Sequence, residues 1–570
     1  MNKTMTRPAQ LSSALSFAPD SLLRHSAMAT LTAVLLILSF PNFELDYLAW
    51  VALAPLLSVL AKGVSLRRAA ALGWLTGVLF TFFAENWIAH SMVYFGGMAT
   101  VIAYAVAFLF ASVLALFPAV FAAAMALLVK RLGWMAVAFA PVVWAATEWV
   151  RPFVTGVTWN ALGVSQVNHF LIARLAQYGG VYLLSAEVVT VSALLVLMLR
   201  FKERGVARSA ATLTVLAGVA LAVPILNQPQ GAQSFASVTV VGVQPNLPPD
   251  SDQSLDASSR DLENNINLTK EAIAKTPDKA ADIVVWAESP LALFYETDSA
   301  LRERLDGLAA ETGSHFIINT VTRDDWRYHN SIHVLRPDKP AEKSSVLPTP
   351  LTYWPMKRYD KIRLVPFGEY VPFNSVLSRV VEAFATSGVG GFTAGTEPVV
   401  NTLRLATERE GIVSSDDSTP TAAIERTTNF ARVGAFICYE AAYPDLVRGF
   451  VKNGATLLVN VSNDSWFGST AGARQHLAHA RLRAIENDRD LIRVTNSGIS
   501  ALIKADGQVI DALPSFQTAT QHWRAQLRRN QTAYSQRGDL FAIGCVAVTL
   551  LAIAATLFFN RSNQSSAKSK

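Results

Sequence analysis

The chain has 570 residues, of which 51% are hydrophobic and only 16% charged, with a mean hydropathy of +0.29. That balance describes a membrane protein with a sizeable water-facing part, split into more than one domain. The net charge of +6 forms no basic stripe, which argues against a nucleic-acid partner, and two cysteines give neither a disulfide framework nor a metal cluster.

Residues 1–26 are polar and basic (Lys3, Arg7, Arg24) and carry no small-residue cleavage site, so they read as a cytoplasmic tail rather than a removed signal peptide. Seven apolar segments follow, at 27–41, 47–61, 69–90, 99–128, 133–148, 178–199 and 209–226. Together they predict a membrane domain over 27–226, and an eighth segment at 539–559 predicts a C-terminal transmembrane helix. The first two fall short of the ~20 residues a bilayer needs, and Pro41 closes the first, so a tilted or re-entrant hairpin is the alternative there.

Loop charges test this layout. One alternate set of loops holds Lys3, Arg7, Arg24, Lys62, Arg67, Arg68, Lys130, Arg131, Arg200, Lys202, Arg204, Arg208, Arg561, Lys568 and Lys570. The short loops of the other set hold only Arg151 and Arg174. Basic loops stay cytoplasmic, so both termini are expected inside and residues 227–538 outside. Glu85, Glu148 and Glu187 interrupt the apolar runs. An intramembrane carboxylate faces a cavity or a partner, and a Glu148–Arg151 packing pair and a substrate role both remain open. The segment holding Thr158-Trp159 and Gln177-Tyr178 reads as an outer loop with interfacial aromatics.

From residue 236 the period changes to that of strands. Apolar, β-branched runs predict strands at 237–244, 283–287, 315–320, 433–438, 455–461, 491–495 and 500–504. Helix-compatible runs at 256–275, 298–312 and 474–488 alternate with them in a βαβ rhythm. The insertions 337–356 and 402–431, rich in Pro, Ser, Thr and charge, read as loops, and the expected domain spans 236–515.

Three strand ends carry chemistry. Gly434-Ala-Phe-Ile-Cys438-Tyr439-Glu440 is an apolar run closing on a thiol. A free cysteine is commonly just a small buried hydrophobe, but Ile283-Val-Val-Trp-Ala-Glu288 closes in the same manner on a carboxylate, and Tyr359-Asp-Lys361 is followed by Pro366-Phe-Gly-Glu369-Tyr370. A thiol that makes or breaks acyl bonds needs a base, a means of ionising and donors for the oxyanion. Glu288, partly desolvated at a strand end, suits the base, and Lys361 suits the stabilising cation. Each also has a bland reading: Glu288 as a turn cap before Pro290, and Lys361 as a solvated face beside Asp360.

Glutamate, lysine and cysteine in this order resemble the nitrilase superfamily, and the apolar N-terminal portion makes the chain similar to its membrane-embedded branch, the apolipoprotein N-acyltransferase family. The resemblance covers nearly the whole chain. It implies a polytopic α-helical membrane domain followed by an α-β-β-α sandwich, with Glu288, Lys361 and Cys438 as catalytic triad. It further implies that Glu369 orients Lys361 or the acyl carbonyl, that the Tyr439 backbone amide serves the oxyanion, and that Glu440 is structural. Asn460-Val-Ser-Asn463-Asp464-Ser-Trp466-Phe467-Gly468 and Gln475-His476 through Ser500 follow the family pattern and are read as supporting the fold. No cofactor or metal is implied. The implied reaction moves an acyl chain from a phospholipid, phosphatidylethanolamine, through a cysteine thioester to the N-terminal amine of diacylglyceryl-modified apolipoproteins, in the bacterial inner membrane with the catalytic domain in the periplasm. A membrane-anchored amidase and a non-catalytic lipid- or lipoprotein-binding homologue are the rivals. Three positions depart from the pattern. No Lys-Trp pair follows the first strand, where Gln253-Ser-Leu-Asp256-Ala257 stands; Arg363 replaces a histidine; and Gln177-Tyr178 replaces Asp-Leu.

Overall fold

A computed structural model of the chain describes residues 19–203, 234–248, 255–276, 280–288, 294–337, 356–366, 368–370, 391–405 and 430–568. The expected seventh span at 209–226, most of both loop insertions and part of the Gln253–Ala257 departure lie outside the described residues. Among the described residues, four helical stretches are long and apolar enough to cross a bilayer: Ser21–Leu38, Thr100–Thr155, Ala176–Arg200 and Leu540–Phe558.

Helix α1 (Pro19–Leu38) begins ahead of its apolar run, and its 20 residues give it a length of about 30 Å. The second apolar segment forms two short buried helices, α2 (Ala49–Ala52) and α3 (Ala54–Leu60), packed on α1, so it does not make a straight span. The third breaks at Glu85-Asn86 into α4 (Leu66–Ala84) and α5 (Trp87–Tyr94). α6 (Thr100–Leu114) runs almost straight into α7 (Leu116–Leu132). α7 crosses α4 where a Cβ on Gly73 would lie 2.3 Å from the Pro118 carbonyl oxygen, a close approach only glycine allows. The fifth segment starts as 3-10 helix over Gly133–Phe139 and then becomes α8 (Ala140–Thr155), reaching further outward than its apolar stretch. After the short α9 (Phe170–Ala173), α10 (Ala176–Glu203) completes the described part of the N-terminal bundle.

The second half is built from two facing six-stranded sheets. The first contains β1 (Ala236–Gln244), β2 (Ile283–Trp286), β3 (His315–Asp324), β4 (Arg327–Leu335) and β5 (Tyr359–Asp360), with α11 (Leu255–Ala274) and α12 (Ser299–Thr312) on its outer face. The second contains β6 (Val400–Arg404), β7 (Phe430–Ile437), β8 (Leu457–Ser462), β9 (Leu491–Thr495), β10 (Ala501–Ile503) and β11 (Val509–Ile510). Helix α13 (Pro444–Lys452) follows β7, and α14 (Gly472–Asn487) joins β8 to β9. Strand order is β12-β1-β2-β3-β4-β5 in one sheet and β11-β10-β9-β8-β7-β6 in the other. β12 (Ala519–Leu527) pairs along the whole of β1, so the sheet extends past residue 515. The chain closes with α15 (Ala533–Arg537) and α16 (Leu540–Lys568), which returns to pack on α8.

The period-2 alternation explains the layering. In β2, Ile283 and Val285 face the opposite sheet, while Val284 and Trp286 face α11 and α12. This is the α-β-β-α sandwich expected from the resemblance, joined to a polytopic helical membrane domain. α14 is shared between the two halves. Ala480 and Ala484 lie in the sandwich core, and Ala478, Leu482 and Ile485 lie in the core of the membrane domain. The chain after β8 is thereby wedged between the sheet and the helical bundle.

Candidate active site

Strand β2 lies third in its sheet, parallel to β1 and β3, and β7 lies next to the edge strand β6 of the other sheet, parallel to β8; the chemistry-bearing residues just past their ends are Glu288 and Cys438. The third residue, Lys361, follows the short β5 directly. Its main chain is held from both sides: its N–H donates to the Asn330 carbonyl at 2.8 Å, and its own carbonyl accepts from Gly395 N at 2.9 Å. A Cβ on Gly395 would lie 2.1 Å from the Asp360 carbonyl oxygen, so this clasp requires glycine.

The three side chains meet in a buried site. Lys361 is 1% exposed, and Glu288 and Cys438 are each 8% exposed. The Lys361 ammonium lies 2.8 Å from Glu369 Oε1 and 3.6 Å from Glu288 Oε1. Asn330 Nδ2 donates to both of those oxygens, at 3.0 Å each. Asn319 Nδ2 donates to Asn330 Oδ1 at 2.6 Å, which fixes the amide with its donor end toward the two carboxylates. Glu288 Oε2 accepts from Asn463 N at 2.9 Å, and Glu369 Oε2 from Val365 N at 2.8 Å. Lys361, Asn330 and Asn463 thus all present donors to Glu288, the arrangement a buried carboxylate needs.

Glu440 is buried just beyond the cysteine and joins three parts of the site. Its Oε1 accepts from Tyr359 OH and Ile362 N, both at 2.7 Å, and from Arg363 N at 3.0 Å. Its Oε2 accepts from Ile437 N at 2.8 Å. Burial pushes this carboxyl above its ordinary range, and those donors pull it back. One side chain thus fixes the spacing between the end of β7 and the lysine loop. Arg363, which stands in place of a histidine, turns its side chain outward to Asp445 at 3.0 Å.

Electrostatics distinguish the thiol from its neighbours. Burial first, and the Glu288 charge second, push the Cys438 thiol up to about 12, with Lys361 opposing. Burial alone would lower Lys361, yet Glu369, Glu288 and Cys438 outweigh it and hold the ammonium above its ordinary value. The resting site thus pairs a thiol with a carboxylate and an ammonium. A raised thiol pKa means that the thiolate fraction climbs about tenfold per pH unit up to that pKa. Labelling of Cys438 by a small thiol reagent is accordingly expected to rise steadily from pH 6 to 10. A plateau already reached at pH 7 would reveal a preformed thiolate and contradict this.

Cys438 takes φ of +51°, a left-handed conformation costing about 1–3 kcal/mol for a non-glycine residue. It is held there from below. His476 Nε2 lies 2.9 Å from the Cys438 carbonyl oxygen, and Asn460 Nδ2 lies 3.5 Å from it. His476, Asp464 and Arg493 form a closed buried group: Asp464 Oδ1 is 3.0 Å from His476 Nδ1, and Arg493 Nη2 is 2.7 Å from Asp464 Oδ2. Burial first and Arg493 second lower the His476 pKa, with the Asp464 carboxylate opposing.

The membrane domain supplies the remaining wall. Trp159 is only 2% exposed, which corrects its reading as an interfacial aromatic; it stacks on Tyr439 with ring centroids 5.9 Å apart and planes 19° from parallel. Its indole N–H donates to Gln475 Oε1 at 2.8 Å, and Trp87 Nε1 donates to the same oxygen at 3.1 Å. Gln475 Nε2 donates to the Ala84 carbonyl at 2.8 Å and the Pro41 carbonyl at 3.2 Å. A single glutamine on α14 thereby ties the catalytic layer to three membrane-domain segments. Glu148 and Arg151 serve the same outer loop. Glu148 Oε1 accepts from Trp144 Nε1 and Leu162 N, both at 2.8 Å, and Arg151 Nη2 donates to the Trp159 carbonyl at 2.6 Å.

The structure brings Glu288, Lys361, Cys438 and Glu369 into one cluster, with Tyr439 and Glu440 adjoining it. Sequence reasoning missed Asn330 and Asn319. They sit in polar stretches of β3 and β4, where no periodic signal separates a buried amide from a solvated one. His476 was visible only as part of a supporting segment. Among the described residues, no group of His, Cys, Asp and Glu could hold a metal ion.

Residues 32–194 match the apolipoprotein N-acyltransferase N-terminal domain, and residues 237–532 match the carbon-nitrogen hydrolase family. An apolipoprotein N-acyltransferase of Geobacter metallireducens is 31% identical over 94% of this chain and 96% of its own length. Relatives of the same name in Azotobacter vinelandii and Haemophilus influenzae are 32% and 28% identical, covering 73% and 90% of this chain and 72% and 91% of their own. With two matched domains in this order and such coverage, the chain belongs to the apolipoprotein N-acyltransferase family.

Proposed function

We propose that this protein N-acylates lipoproteins in two half-reactions at Cys438. In the first, the sulfur attacks the acyl ester carbonyl of a phospholipid, phosphatidylethanolamine, while Glu288 takes the thiol proton. Lys361 and the Tyr439 N–H stabilise the tetrahedral oxyanion. The intermediate collapses by breaking the ester C–O bond, Glu288 returns the proton to the departing glycerol oxygen, and the lysophospholipid leaves. In the second, the α-amino group of a diacylglyceryl-modified N-terminal cysteine attacks the thioester carbonyl. Its proton passes to Glu288, the tetrahedral intermediate collapses to the amide by breaking the C–S bond, and Glu288 returns the proton to the departing sulfur, which regenerates the thiol.

The observation that carries this reading is the wedging of α14 and Trp159 between the nucleophile and the membrane bundle. An amidase for small soluble amides would need no multi-helix domain built into the wall of its site. A lipid ester, by contrast, can be reached only by a thiol held at the membrane surface. The buried, donor-saturated Glu288 argues likewise against a merely binding homologue. The test is intact-protein mass spectrometry after incubation with phosphatidylethanolamine vesicles. A mass increase of one acyl chain on the peptide containing Cys438 is expected; hydrolysis of small amides without such an adduct would favour the amidase instead.

The reading also requires the catalytic domain to face the periplasm from the inner membrane. Reporter fusions within 62–68 and 200–208 are expected to report cytoplasm and fusions within 227–235 the far side, because the basic residues cluster in the first two regions. A cytoplasmic signal from 227–235 would overturn the sidedness and the access to outer-leaflet lipid that depends on it.

A further inference from the structure

We infer that His476 is a positioning residue for the oxyanion hole: its Nε2–H, bonded to the Cys438 carbonyl, fixes the peptide plane whose other end is the Tyr439 N–H. This rests on the proposed acyl-transfer chemistry at Cys438 and goes further by naming what aims the oxyanion donor. The Cys438–Tyr439 peptide is trans, so its C=O and N–H point in opposite directions within one rigid plane. Whatever holds the carbonyl also aims the amide. His476 lies on the carbonyl side at 2.9 Å, so the Tyr439 N–H points to the opposite side of the peptide from His476.

The proton on Nε2 is dictated by its partner. A carbonyl oxygen can only accept, so the ring must present N–H there. On the other side, Nδ1 lies 3.0 Å from both Arg493 Nη2 and Asp464 Oδ1. Nδ1 accepts from Arg493 Nη2 when the ring is neutral and donates to Asp464 Oδ1 when it is charged, and Nε2 carries its proton in both states; the same Arg493 Nη2 reaches Asp464 Oδ2 at 2.7 Å. Arg493 Nη1 donates to Asn460 Oδ1, which turns the Asn460 amide N–H₂ toward the same Cys438 carbonyl. Two donors thus converge on one oxygen from a fully buried charged group (His476 and Arg493 are both 0% exposed).

Two consequences follow for the reaction. The peptide cannot flip, so the oxyanion donor is in place before substrate arrives. A hydrogen bond to its carbonyl also polarises the amide and makes its N–H a stronger donor. This account further gives the strained φ of Cys438 a function, because that conformation is what directs the carbonyl inward to His476 and the amide away from it. Neighbouring Gln475 anchors Trp159 over the Tyr439 ring, so consecutive residues of α14 hold both ends of this residue pair.

The experiment compares His476→Gln with His476→Asn in a Cys545→Ser background. A glutamine amide reaches the position of Nε2 and keeps the bond to Cys438. An asparagine amide reaches only the position of Nδ1, so it stays within the Asp464–Arg493 group but loses the carbonyl. Two rates are measured on Cys438. One is acylation by phosphatidylethanolamine vesicles, which passes through an oxyanion. The other is disulfide formation with methyl methanethiosulfonate, which does not. For His476→Asn, acylation is expected to fall about 10²-fold, near the lower end of what losing an oxyanion donor costs, with methanethiosulfonate labelling within about threefold of wild type across pH. For His476→Gln, acylation should recover to within about tenfold of wild type. A parallel fall in both rates for His476→Asn would make the residue a fold support and overturn the inference. So would wild-type acylation by His476→Asn, or a glutamine variant no better than the asparagine one. If the Cys545→Ser parent itself forms no adduct, the acyl-transfer reading fails, an outcome distinct from all of these.

Discussion

Cys438→Ala is expected to abolish both the acyl adduct and lipoprotein N-acylation while leaving the fold intact. Cys438 and Cys545 are the free cysteines, and Cys545 is buried in α16 against Ala145, Ala146 and Ala186, within the membrane domain. Cys545→Ser should therefore change neither adduct nor transfer, which makes it the internal control. Cys438→Ser should be nearly as poor as alanine, because a serine hydroxyl is far less acidic than a thiol and Glu288 is too weak a base to deprotonate it. Glu288→Gln separates base from nucleophile. Glutamine matches the size of glutamate, but Glu288 is surrounded by donors from Asn330, Asn463 and Lys361. The new amide N–H₂ must face one of them, so the variant loses both its proton acceptor and a hydrogen bond. Adduct formation should slow by at least ~10². An adduct formed by Glu288→Gln at the wild-type rate would move the base elsewhere, and Glu369 would be the next candidate to mutate.

The parts of the site legible in the sequence were those where local pattern and chemistry coincide. β2 and the second half of β7, from Val433 to Ile437, are continuous buried apolar runs followed closely by one chemistry-bearing residue, Glu288 or Cys438, and a strand buried on both faces has no other place to put it. The helices at 255–274, 299–312 and 472–487 were legible as helix-compatible runs at 256–275, 298–312 and 474–488 between the strands. β4 was not. It reads Arg327-Tyr-His-Asn-Ser-Ile-His, and its polar side chains are buried because β3 and β5 supply partners: Asn319 for Asn330, Asp360 Oδ1 for Ser331 at 2.6 Å, and Thr322 for His333 at 3.3 Å. Such satisfaction is tertiary and leaves no periodic trace. α13 was missed for another reason. Its nine residues are too few for a helical period to stand out, although Leu446, Val447, Phe450 and Val451 do form one buried face. Trp159 was misread because an aromatic in a loop between apolar segments resembles an interfacial anchor, whereas its partners Tyr439 and Gln475 come from 280 and 316 residues further on. Helix ends in the bundle shifted where a break in the apolar run, such as Glu85-Asn86, was bridged by hydropathy.

Lys361→Arg tests the oxyanion role most severely, because it preserves the charge and changes only its shape. The ammonium sits at 1% exposure between Glu369 Oε1 and Glu288 Oε1, and its main chain is clasped by Asn330 and Gly395. A guanidinium is planar, larger, and spreads its charge over a fork, so it cannot direct one compact cluster of donors at a tetrahedral oxygen from the same spot. It also overfills a closed site, an effect that typically costs about 1–3 kcal/mol in stability. The expected result is a folded protein, somewhat less heat-stable in detergent, whose acylation by phospholipid falls ~10²–10³-fold, the usual cost of one lost oxyanion donor. Lys361→Met should be worse on both counts. Removing the cation leaves Glu288 and Glu369 facing each other across Asn330 without a counter-charge, and breaking a buried ion pair in this way costs about 3–5 kcal/mol. Acylation of Lys361→Arg within threefold of wild type would take Lys361 out of the oxyanion role and leave it as a partner for Glu369 alone. The Tyr439 amide, aimed by His476, would then be the principal donor.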